Sequence, residues 1–145
     1  MHIGDVTVKT HEKGRYVPIS NHPYYTSLNE WNPRIYGEYI RKSAYQSSKP
    51  SGSWEGFVAL TWNLHRTGLA LSENDNIQVT KTKEGWKCRH GKHRMCIILF
   101  LYGPSARLQV KNGIVVGITT PPTYNPMLHA CTLIDLFKKV VFTRS

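Results

Sequence analysis

The sequence predicts an α/β (α+β) domain, residues 1–145, in which helices flank a small mixed sheet. Three observations carry that expectation. The apolar residues change period along the chain, from the alternation of strands to the wider spacing of helices and back. The 145 residues, 40% of them hydrophobic, suffice for one core and leave little room for a second. A strand, a glycine turn and a helix follow one another without a break between Trp86 and Gly103, the connection around which α/β domains are built.

The elements follow in order. Ile3, Val6 and Val8, then Tyr16, Val17 and Ile19, read as short strands joined by the turn His11 to Gly14. Asn32 before Pro33 is a helix start, and Ile35, Tyr36, Tyr39 and Ile40 recur at helical spacing, so a helix is expected from Pro33 to about Lys42. Residues 43–53, rich in Ser, Lys, Pro and Gly, form a loop by composition, whose last member, Ser53, caps a second helix beginning near Trp54. That helix stops at Gly68. Ile77 and Val79, the Glu84-Gly85 turn, and Trp86 and Cys88 make a hairpin. His90-Gly91 then opens an amphipathic helix through Tyr102, closed by Gly103-Pro104. Asn112-Gly113 joins Leu108 and Val110 to the strand Ile114 to Ile118, and a last amphipathic helix is expected at about 127–141.

Lys plus Arg outnumber Asp plus Glu by 19 to 9, a formal charge of +10 that favours polyanionic partners such as nucleotides, DNA or RNA. Three cysteines without a secretory leader in the first ten residues speak for a reducing compartment, taken as the cytoplasm. The longest apolar run, Met95 to Tyr102, is too short to span a bilayer, so no membrane partner is expected.

Chemistry concentrates at Gly91, Lys92, His93 and Arg94. A helix N-terminus exposes unpaired N–H groups and the positive end of the helix dipole, and Gly91 lets the backbone come close to an anion. Lys92 supplies a point charge, Arg94 a planar fork for two oxygens, and His93 a donor whose charge follows pH. Cations in a first helical turn are unfavourable unless an anion offsets them, so a phosphate-bearing ligand is expected here, with His90 beside it.

The segment "IQVTKTKEGWKCRHGKHRMCIILFLYG" resembles the core of the ParB/sulfiredoxin-like superfamily, whose members carry a strand, a turn of the form G-x-H-R and a helix. "HPYYTSL", "YGEYI" and "FVALTWNLHRTGL" upstream look similar too, and together these segments cover about two thirds of the chain. The resemblance implies that Gly91, His93 and Arg94 hold nucleotide phosphates, as in the chromosome-partition CTP-binding proteins, sulfiredoxins and free-serine kinases. ATP or CTP, with Mg2+, are the ligands it implies. Lys92 stands where sulfiredoxins carry their catalytic cysteine, which argues against sulfinic-acid reduction. His90 replaces the acidic residue common before the glycine.

Phosphoryl transfer or nucleotide hydrolysis needs a general base. Glu30, just after "HPYY", is the first candidate ahead of Glu38, Glu55 and Asp75, with His93 orienting or protonating the phosphate and His22 lining the cleft. Cys88, His90, His93 and Cys96 are four metal-ligand types, but their spacing is tighter than in zinc motifs and the helix buries Cys96, so no metal site is expected. Trp31, Arg34, Tyr36, Tyr39 and Arg41 mix rings with cations as single-strand binders do, although Tyr36 and Tyr39 are more simply core. The alternatives are a kinase or nucleotide hydrolase, a non-catalytic basic DNA-binding module, and a structural or virion component that has lost its ligand.

Overall fold

The computed structural model describes residues 1–11, 14–43, 53–67 and 76–120. The expected loop at 43–53, apart from its end residues, the stop at Gly68 and the expected helix at 127–141 lie outside them.

The fold is mixed α/β. Strands β1 (Val6–Lys9), β2 (Tyr16–Pro18), β3 (Gln78–Thr82), β4 (Gly85–His90), β5 (Leu108–Lys111) and β6 (Ile114–Ile118) form one sheet in the order β2-β1-β4-β3-β6-β5. Helices α1 (Pro23–Asn29), α2 (Pro33–Lys42), α3 (Trp54–Thr67) and α4 (Lys92–Tyr102) complete the described elements with two 3₁₀ turns, Ile3–Asp5 and Ile19–Asn21. The turns take up Ile3 and Ile19, which alternation alone assigns to strands.

Local chemistry sets most boundaries. Asn32 accepts the Arg34 N–H at 3.0 Å and caps α2, with Pro33 in the first position where a missing N–H costs nothing. Ser53 accepts the Gly56 N–H at 3.0 Å and caps α3. The Glu84-Gly85 and Asn112-Gly113 turns close antiparallel hairpins, β3 on β4 and β5 on β6.

Helix α1 has no counterpart in the sequence reading. Seven residues are too few to display a period, and its N-cap is His22, whose Nδ1 accepts the Tyr24 N–H at 3.0 Å. Its C-terminus is a Schellman turn: Trp31 N–H donates to the Leu28 carbonyl at 3.2 Å and Asn32 N–H to that of Ser27 at 2.9 Å. That turn needs a left-handed residue, usually glycine, and here Trp31 adopts φ 52°. Its indole packs on Trp54 and Phe100, with ring centroids 5.3 and 6.5 Å away.

One pairing organises the molecule. β1 and β4 run parallel, Val6 opposite Trp86 and Thr7 opposite Lys87, although about eighty residues separate them in sequence. Every other strand pair among the described residues is antiparallel. The carboxyl ends of β1 and β4 therefore meet, and α4 starts from that edge. Crevices at the carboxyl ends of parallel strands are where open α/β sheets bind ligands.

The core lies between sheet and helices: Val6, Val8, Val79 and Cys88 from the strands meet Leu28, Phe57, Met95 and Ile98 from the helices. α4 departs from the amphipathic helix expected. Met95, Cys96, Ile97, Ile98 and Leu99 are all buried, because α4 is enclosed by α1, α3 and β4. A helix covered all round has no use for a polar stripe, and each such side chain contributes about 2 kcal/mol on burial. No helix among the described residues is long and apolar enough to cross a membrane.

Candidate phosphate site

Gly91 is the N-cap of α4, at φ 86° and ψ 31°. A Cβ there would lie 2.9 Å from Ile77 Cγ1 and 3.1 Å from Ile77 Cα, so both the torsion and the contact with β3's approach require glycine. Gly91 provides no side-chain cap, and the first N–H groups of α4 have no partner within the helix.

Lys92, first residue of α4, does not extend into solvent. Its Nζ donates to the Lys9 carbonyl at the end of β1, 2.9 Å away, and to Tyr39 Oη at 3.4 Å. The ammonium also stands over the rings of Tyr24 and Tyr39, 5.3 and 5.6 Å from their centroids. Burial lowers its pKa, the neighbouring Lys9 lowers it further, and Cys96 and Cys88 act in the opposite sense. No carboxylate of the described residues is among the groups that set its charge.

His22 is fully buried. Because Nδ1 accepts from the Tyr24 N–H, the neutral ring carries its proton on Nε2, which donates to Tyr39 Oη at 3.2 Å. Burial first, then the charges of Lys92 and His93, hold its pKa down near 3. Burial also raises the Tyr39 hydroxyl. His93 stacks on Tyr24 with centroids 4.1 Å apart and shares a 3.1 Å hydrogen bond between Nε2 and Tyr36 Oη. Arg94, in the same helical turn, is half-buried.

The structure thus brings together His22, Lys92 and His93 around Tyr24, Tyr36 and Tyr39, with Gly91 capping the helix and Arg94 two residues after Lys92. His90 ends β4 just before the turn; its ring is exposed and its carbonyl accepts the Cys88 thiol at 3.4 Å. Glu30 does not join them. It is the exposed C-cap of α1, at the end opposite His22, and its neighbour Trp31 packs on Phe100, eight residues along α4 from Lys92. Eight helical residues are about 12 Å. Glu38 and Glu55 are also exposed, while Asp75 lies outside the described residues.

Sequence reading missed the part played by Tyr24, Tyr36 and Tyr39. Helical spacing marks the last two as core, and their rings are buried, but their hydroxyls hold His93 and Lys92. Two polar residues on an otherwise apolar stripe, each needing a partner when buried, were the available signal. Among the described residues no group of three His, Cys, Asp or Glu side chains is placed to hold a metal. Cys88 and Cys96 are buried free thiols, the first pushed up to about 11 by burial and the second raised further. Neither is poised as a nucleophile.

Phosphate oxygens fit these donor types: the first turn of α4 carries N–H groups with no partner within the helix, an ammonium, an imidazole and a guanidinium, with no described carboxylate acting on Lys92 or His22. These donors would not ligate magnesium themselves; a magnesium ion would be held by the oxygens of a bound phosphate and by water. In comparisons with protein families, curated proteins and solved structures, nothing matches this chain.

Proposed function

We propose that this chain is a phosphate-binding domain that seats a nucleotide, or another phosphate-bearing compound, at the N-terminus of α4. One observation carries the reading. Lys92 is a half-buried cation at the positive end of a helix, held there by neutral acceptors, and an anion beside it would relieve both costs. Gly91, His93 and Arg94 match the G-x-H-R turn of the ParB/sulfiredoxin-like proteins, which supports a nucleotide as the phosphate carrier. In this reading Lys92 neutralises the phosphate, Arg94 binds two of its oxygens and His93, fixed by Tyr36 and Tyr24, donates to a third. Binding is proposed ahead of phosphoryl transfer, because Glu30, the carboxylate that would serve as base, stands at the far end of α1.

Titration calorimetry with ATP, CTP and GTP, with and without magnesium, tests the reading. At least one nucleotide should bind saturably without magnesium. Arg94→Ala and Lys92→Met should each weaken it at least about tenfold, the loss expected for one charge-assisted hydrogen bond. Absence of saturable binding up to millimolar nucleotide, or equal affinity in folded Arg94→Ala and Lys92→Met, would overturn the proposal.

A further inference from the structure

The six strands contain no Asp or Glu, yet carry Lys9, Lys81, Lys87, Arg89 and Lys111. Side chains alternate across a sheet. Val6, Val8 and Cys88 face the helices and are buried, so Lys9, Lys87 and Arg89 stand on the opposite face. Tyr16 pairs with Lys9 and shares that face.

Three of these side chains, Tyr16, Lys87 and Arg89, are organised, not merely exposed. Lys87 Nζ lies 4.8 Å from the centroid of the Tyr16 ring and Arg89 Cζ 5.7 Å from it, and Arg89 Nη1 donates to Tyr16 Oη at 3.1 Å. β1 lies between β2 and β4, so the contacts cross above it and hold both cations over the middle of the β2-β1-β4 half of the sheet. Fixing them in advance reduces the ordering cost that long cationic side chains incur on binding.

From these observations we propose that the open face of β2-β1-β4 binds single-stranded nucleic acid, with Lys9, Lys87 and Arg89 on successive phosphates and Tyr16 holding the latter two in place. Residues two apart on a strand are separated by about 6.7 Å, and neighbouring strands by about 4.8 Å, so the cations form a flat grid that a flexible strand can follow. A flat face offers nothing that enters a duplex groove. A membrane is the poorer fit, because the only large hydrophobic side chain exposed among the described residues is Val116, on β6 in the other half of the sheet. This surface is separate from the α4 turn and does not require a nucleotide there.

Fluorescence anisotropy with a labelled single-stranded oligonucleotide at several salt concentrations tests the idea. Three phosphate contacts contribute a slope of about −2 in the logarithm of affinity against that of salt. The variant Lys9→Gln, Lys87→Gln, Arg89→Gln should lose that much slope and at least tenfold in affinity at low salt. Arg34→Gln, Arg41→Gln, Lys42→Gln removes as much charge from α2 and should change affinity less than threefold. Saturating mononucleotide should leave oligonucleotide binding unchanged. Equal losses in the two triple variants, displacement by mononucleotide, or equal or tighter binding of duplex or of anionic phosphatidylserine vesicles would overturn the proposal, as would absence of binding.

Discussion

His22 makes the acid stability of this protein predictable. Its ring is neutral and buried, with a pKa held near 3, whereas in the unfolded chain it returns to 6.5. Between those values the unfolded state takes up a proton that the folded state refuses, so stability rises with pH. The contribution is complete above about pH 6.5 and is lost progressively as pH falls toward 3. From pH 7.5 to pH 5 the loss from this group is about 2 kcal/mol, and the full shift corresponds to roughly 4–5 kcal/mol. In a protein of this length 2 kcal/mol moves the thermal midpoint by about 6 °C. His22→Asn isolates the effect: asparagine keeps a side-chain acceptor for the Tyr24 N–H and does not titrate. The variant starts about 1 kcal/mol less stable, having lost the Tyr39 hydrogen bond. Its urea midpoint should then fall less steeply than that of the parent between pH 7.5 and 5, by the 2 kcal/mol attributed to His22. Parallel pH profiles for the two proteins would refute the buried, neutral assignment of this ring.

The remaining predictions concern the backbone. Gly91→Ala should lower stability by about 2 kcal/mol or more in urea unfolding, since φ 86° and the 2.9 Å approach to Ile77 both penalise a Cβ; an unchanged midpoint would refute the turn as described. Gly37→Ala should do the opposite, gaining about 0.5–1 kcal/mol, because nothing lies within 4 Å of its Cβ position inside α2. At Trp31 both Gly and Ala forfeit the packing on Trp54 and Phe100, but Gly tolerates φ 52°, so Trp31→Gly should be about 1 kcal/mol more stable than Trp31→Ala. The reverse order would show that the Schellman turn does not survive the substitution.

The sequence by itself determined the features written in a few adjacent residues. Asn32-Pro33 and Ser53 start helices, Glu84-Gly85 and Asn112-Gly113 close hairpins, and Gly91 turns a strand into α4, because a cap or a left-handed turn has only a few side chains that satisfy it. α1 escaped because seven residues show no period and histidine is an unusual cap. The site was half legible for the same reason: Gly91 to Arg94 are contiguous, whereas their setting is not. Only tertiary structure decided that β1 lies parallel to β4, and hence that the Lys9 carbonyl, Tyr39 and His22 enclose Lys92 while Glu30 is carried to the far end of α1. Those outcomes depend on which distant segments pack together. That selection is made by the summed burial of a whole core, and no local run of residues encodes it.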